Sequence, residues 1–256
     1  MIHFSQKEFI RFIINNNVVG FKEEPFTLKS KRKSHWYVNW RTVSNDPFLM
    51  DQLTDFVLDY LRNNNLVPDT IYGVPEGATK LGLFTQDKWA KLDGNYSKGS
   101  HILSMGRGKP KDHGDSKDKY FIGEPKGKTV ILEDVTTTGG SSLENTANVL
   151  ELSDVEVIAV IGLTNRDELT PIPGKDNEEV VKRFAKIFKR ITGKDYNNPM
   201  SVGEAFNQAD LNYLSLSSAF DFLPQAYAKL SPGENIGRAI EKEFQQYGAK
   251  PITLIR

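Results

Sequence analysis

The segment VILEDVTTTGGSS, residues 130–142, joins an apolar run to two adjacent acids and then to a turn rich in threonine, glycine and serine. A continuous run of Val, Ile and Leu is typical of a strand that is buried on both faces of a parallel sheet. The residues that follow, SLENTANVLEL (142–152), carry apolar side chains at helical spacing. The segment therefore predicts a strand, a glycine-rich turn and a helix, in that order. Packing alone explains neither the acids nor the composition of the turn.

The same alternation of strand and helix extends through residues 65–166. DTIYGVP (69–75) predicts a short strand followed by a loop and a helix, HILSM (101–105) predicts a strand, and VEVIAVIGLTNR (155–166) predicts a long strand. Alternating elements with nearly continuous Val, Ile and Leu strands predict an α/β fold, in which helices cover both faces of a parallel sheet.

The regions on either side of this core have different patterns. Before the core, Ser5 can cap a first helix, PFTLKSKRKSHWYVNW (25–40) predicts two short strands around a basic turn, and residues 46–65 predict an amphipathic helix. After the core, residues 177–193 and 235–248 have the apolar spacing of helices.

Composition limits the class of protein. The chain has 256 residues, of which 38% are hydrophobic and 26% charged, as expected of a globular protein with one large domain or one domain with an elaboration. Lys plus Arg and Asp plus Glu number 33 each, so the net charge gives no indication of nucleic-acid or membrane binding. The absence of cysteine excludes disulfides, thiolate metal sites and cysteine nucleophiles.

We expect a cytoplasmic protein in three parts. No apolar run approaches the ~20 residues of a membrane-spanning helix, and the N-terminal residues lack the pattern of a secretory signal. The parts are an N-terminal helix, hood and first core helix (1–65), an α/β core (66–168) and a mainly helical C-terminal extension packed on the core (169–256).

Polar residues follow each predicted strand of the core. In an open parallel sheet, ligands bind beyond the carboxyl ends of the strands. These ends deliver VPEGATKLG (74–82), RGKPKDHGDSKDK (107–119), EDVTTTGGSS (133–142) and TNRDE (164–168). Together they offer two carboxylates, several cations, one arginine and a turn whose backbone amides can hold an anion at a helix N-terminus. This set suits a phosphorylated sugar with Mg²⁺, although a solvated surface loop and an ordinary helix cap would each explain one segment alone.

Residues 131–142 resemble the phosphoribosyl-pyrophosphate (PRPP) binding motif of type I phosphoribosyltransferases, and more narrowly the chain resembles the orotate phosphoribosyltransferase family. Four further segments agree in the expected order. They are FTLKSKRKSHWYVN (26–39), similar to the orotate-binding segment; YGVPEGATKLG (72–82), at the place of the pyrophosphate loop; RGKPKDHGD (107–115), similar to the catalytic loop; and NRDE (165–168), which matches the arginine after the next strand. The resemblance implies a type I phosphoribosyltransferase fold with a small N-terminal hood.

The resemblance assigns the sugar and the 5-phosphate of PRPP to the opening segment. Glu133 and Asp134 would hold the ribose hydroxyls. Because the two residues alternate along a strand, we expect their side chains to face opposite sides. The residues that would hold the 5-phosphate are Thr136, Thr137, Thr138, Gly139, Gly140 and Ser141.

The resemblance assigns the base to other segments. Arg166 would pair the carboxylate of orotate, a task for which the planar guanidinium is suited, and Thr137 would also face the base. Lys29 would lie near the base and PRPP, while Tyr37 and Val38 would cover the ring.

The catalytic residues implied by the resemblance are Arg107, Lys111 and His113. They would close over the pyrophosphate on a loop, residues 107–119, that reaches into the neighbouring subunit of a homodimer. Mg²⁺ would be held mainly by PRPP and water, with no direct protein ligand. The implied partners are PRPP and orotate, with neither nucleic acid nor membrane.

The chain departs from the family pattern at several positions, and two alternatives remain open. The family usually carries a basic residue early in its pyrophosphate loop, where this chain has Gly77; Lys80, three residues later, is the candidate here. One alternative is a phosphoribosyltransferase for another base, which Arg166 argues against because a neutral purine offers it no carboxylate. The other is a non-catalytic PRPP-binding regulator, which would not need a complete catalytic loop.

Overall fold

The structure, a computed structural model, describes residues 3–108 and 120–255, and six strands form the central sheet of this part of the chain. The strands in these residues, of which β3 to β8 form that sheet, are β1 (Val19–Thr27), β2 (Lys33–Val38), β3 (Thr70–Gly73), β4 (Met105–Gly106), β5 (Phe121–Ile122), β6 (Gly127–Thr136), β7 (Val155–Asn165) and β8 (Tyr213–Ser218). The helices are α1 (Gln6–Asn15), α2 (Arg41–Ser44), α3 (Pro47–Asn63), α4 (Thr79–Leu92), α5 (Gly140–Leu150), α6 (Glu178–Thr192), α7 (Val202–Asn207), α8 (Ala219–Leu230) and α9 (Glu234–Tyr247).

The central sheet has the strand order β5-β4-β3-β6-β7-β8. Neighbouring strands are parallel except for β4 and β5, which are antiparallel. The predicted α/β fold with a mainly parallel sheet is therefore confirmed. Strands β1 and β2 form a separate antiparallel hairpin, as the sequence predicted for residues 25–40. We call this hairpin, residues 19–38, the hood.

Strand β6 lies in the interior of the sheet and is buried on both faces. Val130, Ile131 and Leu132 have no exposed surface. Val130 and Leu132 belong to a core that includes residues of α1, α3, α8 and α9, whereas Ile131 belongs to a second core with residues of α5, α6 and α7. Because successive side chains of a strand point to opposite faces, a strand covered by two helical layers must be apolar at every position.

Helix boundaries follow the signals expected from the sequence. Ser5 Oγ accepts a hydrogen bond from Glu8 N at 3.3 Å, which caps α1 as predicted. Asp46 caps α3 in the same way, and Pro47 occupies its first turn. None of the described helices combines the length and apolar composition needed to cross a bilayer.

Several strand assignments differ from the sequence prediction: β5 was not predicted, and β1 begins at Val19 rather than within residues 25–40. Residues 101–105 were expected to form a strand, but only Met105 of this segment lies in β4, and His101 instead bonds Ser100 and Asp93 through its ring. Strand β8 was not predicted. Its sequence YLSLSS is short and rich in serine, and it becomes a strand because it pairs with β7 at the edge of the sheet.

Helix α9 connects the C-terminal region to the hood. The Glu243 carboxylate accepts hydrogen bonds from His35 N at 2.6 Å and from Ser34 Oγ at 2.9 Å. The Trp36 side chain stacks on Phe244 with 6.2 Å between ring centroids. The C-terminal residues therefore contribute both the last strand of the sheet and the support of the hood.

We predict that Gly82→Ala destabilises the protein by about 2 kcal/mol. A Cβ on Gly82 would lie 2.4 Å from the backbone N of Gly73, because α4 packs directly on β3. The gain in helix propensity, at most ~1 kcal/mol, is smaller than the expected clash. Urea unfolding measures the difference, and Gly94→Ala is the matched control, since none of the described atoms lies within 4 Å of its added Cβ. Equal stability of the two variants would contradict the prediction.

Candidate active site

A cavity of about 310 Å³ opens at the carboxyl ends of β3 and β6. It lies between the turn of the hood, the loop after β3, the turn between β6 and α5, and one face of α6. Among the residues that line it are the predicted Lys29, Glu133, Asp134, Thr136, Thr137, Thr138, Gly139, Gly140 and Ser141. The strand ends therefore bring together the residues assigned to the sugar and the 5-phosphate.

The turn between β6 and α5 has the geometry of an anion site. Gly139 has a φ of 79°, in the left-handed region that glycine adopts without strain, and α5 begins at the next residue. The first turn of a helix leaves backbone N–H groups without intrahelical partners, and these groups favour a bound anion. Lys29 Nζ donates to Ser141 Oγ at 2.7 Å, which brings a cation from the hood to the same turn.

Both acids line this one cavity, although strand alternation predicted that they would face opposite sides. Glu133 accepts a hydrogen bond from Ser142 Oγ at 2.8 Å, toward α5. The Asp134 carboxylate lies against the loop after β3, where a Cβ on Gly77 would be 2.1 Å from Asp134 Oδ2. The two side chains thus contact different elements, α5 and the loop after β3, and both still border the cavity.

Burial raises the pKa of Glu133 well above its ordinary value of 4.5. The residue is 5% exposed, and its charged form loses hydration there. The charge of Asp134 raises the pKa further, while the hydrogen bond from Ser142 and the charge of Lys29 oppose the shift. The cavity thus holds an acid pair whose negative charge is unfavourable until hydroxyl donors or cations approach it.

The loop after β3 does not turn its lysine toward the cavity. Pro75, Glu76 and Gly77 line the cavity, and the Pro75–Glu76 peptide bond is cis. Lys80 Nζ instead donates to Ser44 O at 3.1 Å and to the Asn45 side chain at 3.0 Å. Lys80 is therefore not among the described residues that line the cavity.

Arg166 does not line the cavity either. Its side chain is enclosed, with the residue 1% exposed, and its plane lies 3.7 Å from the centroid of the Trp36 ring. Its Nε donates to Glu168 at 2.8 Å, and its terminal nitrogens donate to Trp36 O and to Ser34 Oγ. The hood packs on this arginine, and Glu168 supplies the partner that a buried cation requires.

Glu168 is shared between two buried arginines. Its second carboxylate oxygen accepts from Arg32 at 2.9 Å, and Arg32 also pairs with Asp176 at 2.6 Å. The Arg32 guanidinium lies 4.5 Å from the centroid of the Tyr247 ring. Charges from the hood, the end of β7 and the C-terminal region thus neutralise one another in a single buried network.

The predicted ring-covering residues lie in the hood, away from the cavity. A Cβ on Gly20 would be 2.3 Å from the Tyr37 hydroxyl, so the Tyr37 ring lies across the neighbouring strand. Its other neighbour is Phe26, with 6.2 Å between ring centroids. Val38 pairs with Val19 in the hairpin and packs against the core.

The predicted catalytic loop is only partly described. The backbone N of Arg107 donates to Tyr120 O at 2.8 Å, at the entrance to the loop. Arg107 is not among the described residues that line the cavity. Lys111 and His113 lie outside the described residues.

The sequence analysis missed cavity residues that come from helices. Arg41 begins α2 directly after Trp40, and Arg183 of α6 pairs with Glu144 at 2.6 Å. For Arg183 the available signal was a cation beside Phe184 on the apolar face of the helix. Arg41 had no local signal, because its position depends on how the chain returns from the hood to the core.

We predict that Glu133→Gln stabilises the ligand-free protein relative to the wild type, and that the difference in free energy of unfolding grows as the pH rises. Between pH 4.5 and the raised folded-state pKa, folded wild type keeps a proton that the unfolded chain releases, so its stability falls with increasing pH. Glutamine has no such ionisation. Urea unfolding at about pH 5 and about pH 8 should show the stability difference growing in favour of Gln. A difference that is the same at both pH values would contradict the raised pKa.

The chain is similar in sequence to several orotate phosphoribosyltransferases. The orotate phosphoribosyltransferase of Bradyrhizobium diazoefficiens is 37% identical over 158 residues, which cover 58% of this chain and 78% of the relative. That of Thermococcus kodakarensis is 29% identical over 170 residues, covering 64% of this chain and 82% of the relative. No protein-family model matches the chain.

The fold is also similar to solved structures. The orotate phosphoribosyltransferase of Francisella tularensis superposes with a TM-score of 0.60 at 19% identity, over 94% of this chain and 99% of that one. The enzyme of Aeropyrum pernix gives a TM-score of 0.56 at 19% identity, over 88% and 99%. These likenesses show the fold. The Bradyrhizobium relative, 37% identical and matched over 78% of its length, shows that the chain belongs to the orotate phosphoribosyltransferase family.

Proposed function

We propose that the protein is a Mg²⁺-dependent enzyme of pyrimidine nucleotide synthesis that converts orotate and PRPP to orotidine 5′-monophosphate and pyrophosphate. The observation that carries the proposal is the cavity at the ends of β3 and β6, where an anion-binding turn adjoins two carboxylates in a chain of this family. A phosphate bound next to a polyhydroxyl sugar needs this order of groups.

The reaction exchanges one bond at C1 of the ribose for another. The bond from C1 to the diphosphate oxygen breaks, and its electron pair leaves with the diphosphate. N1 of orotate forms the new bond to C1 and loses its proton. We assign the 5-phosphate to the turn at residues 136–141, with Lys29 adding a positive charge, and the ribose hydroxyls to Glu133 and Asp134. Fixing the sugar at both points leaves C1 as the part of the substrate that can move.

Negative charge develops on the diphosphate as it leaves, and cations placed there lower the barrier. We assign this task to Arg107, Lys111 and His113, carried by a loop that reaches the neighbouring subunit of a homodimer. Mg²⁺ would neutralise the same oxygens. It prefers hard oxygen ligands and would be held mainly by PRPP and water, with no direct protein ligand. Among the described residues, no cluster of three or more His, Asp or Glu side chains could hold a metal alone.

Arg166 is proposed to pair the carboxylate of orotate. In the structure three of its five N–H donors are used by Glu168, Ser34 and Trp36 O, so the base would use the remaining donors or take over one of these contacts. Glu168 can be displaced without leaving a lone buried charge, because it also pairs with Arg32. The same enclosure favours a second candidate function, a phosphoribosyltransferase for a base without a carboxylate, which would leave Arg166 in its present contacts.

We predict that the purified protein forms nucleotide and pyrophosphate in equal amounts from orotate, PRPP and Mg²⁺, and that EDTA abolishes the reaction. Uracil, which lacks the carboxylate, should react with a kcat/KM about a hundredfold lower, the value of one charge-assisted pair. Separation of the nucleotides by ion-exchange chromatography measures both rates. Turnover of uracil or a purine without turnover of orotate would replace this function with the second candidate.

We predict that Lys111→Ala lowers kcat about a hundredfold or more, while PRPP binding measured by calorimetry stays within a few-fold of wild type. The loss would reflect charge that develops only during the reaction. A non-catalytic regulator would show no turnover to lose.

Subunit mixing tests whether the loop is shared. Lys111→Ala and Asp134→Asn should each be inactive, but a heterodimer would contain one site with an intact core and an intact loop. Random mixing should then restore about one quarter of wild-type activity. No recovery on mixing, with exchange of subunits verified by mass spectrometry, would show that each loop serves its own subunit.

A further inference from the structure

The cations that line the cavity differ in whether another side chain already pairs with them. Within residues 3–108 and 120–255 these cations are Lys29, Arg41 and Arg183. Lys29 donates to Ser141 at the anion-binding turn, and Arg183 pairs with Glu144. No side-chain hydrogen bond or ion pair of Arg41 occurs with any described residue; only its backbone N is engaged, by the Asn39 side chain at 3.2 Å. Arg41 is therefore a cavity cation whose charge is available to a ligand.

The loop after β3 brings no cation to the cavity; the residues that line it there are Pro75, Glu76 and Gly77. A side chain at Gly77 would meet the Asp134 carboxylate, with 2.1 Å from the added Cβ to the nearest oxygen. The residue before it, Glu76, is acidic and also lines the cavity. A ligand carrying several negative charges would therefore meet only Glu76 and backbone at this loop, unless another element supplies positive charge.

Lys80 contacts the element that carries Arg41. Its ammonium group donates to Ser44 O, the last residue of α2, and to the side chain of Asn45. The lysine that follows the loop thus holds the end of the short helix that begins with Arg41.

The other end of α2 is also fixed. Trp40, which precedes Arg41, is 2% exposed and stacks on Phe9 with 5.6 Å between ring centroids. Its Nε1 donates to Thr164 Oγ1 at 3.2 Å, which ties it to β7. Arg41 therefore begins from a fixed backbone position, so binding a ligand through its guanidinium would order the side chain but not the backbone.

We propose that Arg41 binds the diphosphate of PRPP and of released pyrophosphate, and that Lys80 is a positioning residue that acts through α2. The proposal rests on the proposed function of the cavity. A guanidinium is always charged and presents paired N–H donors that match two phosphate oxygens. Arg41 thereby supplies the cation that the loop, with glycine at position 77, does not bring to the cavity.

The first test is the kinetics of Arg41→Ala. The KM for PRPP and the inhibition constant of pyrophosphate should each rise about tenfold or more, the value of one charge-assisted contact, while the KM for orotate stays within about twofold. Arg41→Lys should recover part of the loss. Arg11→Ala is the matched control, because Arg11 is an exposed arginine on α1 that does not line this cavity. Unchanged PRPP and pyrophosphate constants in Arg41→Ala, or an equal rise in the KM for orotate, would overturn the proposal.

A double-mutant cycle tests the role of Lys80. If Lys80 acts only through α2, Lys80→Ala should raise the KM for PRPP in the wild type and have little further effect in Arg41→Ala. Full additivity would show that Lys80 acts independently of Arg41, and it would overturn this part of the proposal.

Binding of pyrophosphate alone, measured by calorimetry, separates this proposal from the proposed function. If wild-type protein binds pyrophosphate but makes no nucleotide from any base, the proposed reaction is wrong. The binding role of Arg41 would then still require Arg41→Ala to lower the affinity for pyrophosphate. Wild-type protein that turns over orotate, together with an Arg41→Ala variant of undiminished pyrophosphate affinity, would end the role of Arg41 alone.

Discussion

The contact between the Asp134 carboxylate and the backbone of Gly77 constrains the whole cavity. It closes the end of β6 against the loop after β3, so a side chain at position 77 would require the Asp134 carboxylate to move. With glycine at this position and Glu76 before it, the loop brings no cation to the cavity. Arg41 lines the cavity from the segment that follows the hood, and Lys80, directed away from the cavity, holds the end of its helix. Among the described residues, the cavity therefore takes a cation from a distant element rather than from this loop.

A second constraint is the burial of charge beneath the hood. Arg166 and Arg32 are 1% and 3% exposed, and unpaired charges at such positions would be strongly unfavourable. Glu168 neutralises both, and Asp176 completes the balance from the C-terminal region. Asp176 and the carbonyl oxygens of Leu169 and Thr170 all accept from Arg32, so residues after the core provide part of the support of the buried arginine of the hood.

The sequence predicted those features that depend on local patterns. The apolar run of β6, the glycine-rich turn after it and the cap at Ser5 each depend on neighbouring residues, and the structure has them where they were expected. Strand β8 escaped prediction because its strand character comes from pairing with β7 rather than from its own residues. The orientation of Lys80 and the enclosure of Arg166 depend on contacts with residues more than thirty positions away in the chain. Side-chain direction at such positions follows from packing between elements, which neither composition nor spacing records.

The cavity combines groups that favour an anion with groups that disfavour one. The turn of α5, Lys29 and Arg41 favour an anion, whereas Glu133 and Asp134 disfavour one. A molecule with phosphate groups and a hydroxylated ring carries groups complementary to both kinds. Because burial and the charge of Asp134 disfavour the ionised form of Glu133, a ligand that offers hydroxyl donors there gains its own hydrogen bonds and stabilises that ionised form. An inorganic phosphate can satisfy a part of the cavity that favours an anion, whereas a phosphorylated sugar can satisfy that part and the acids together.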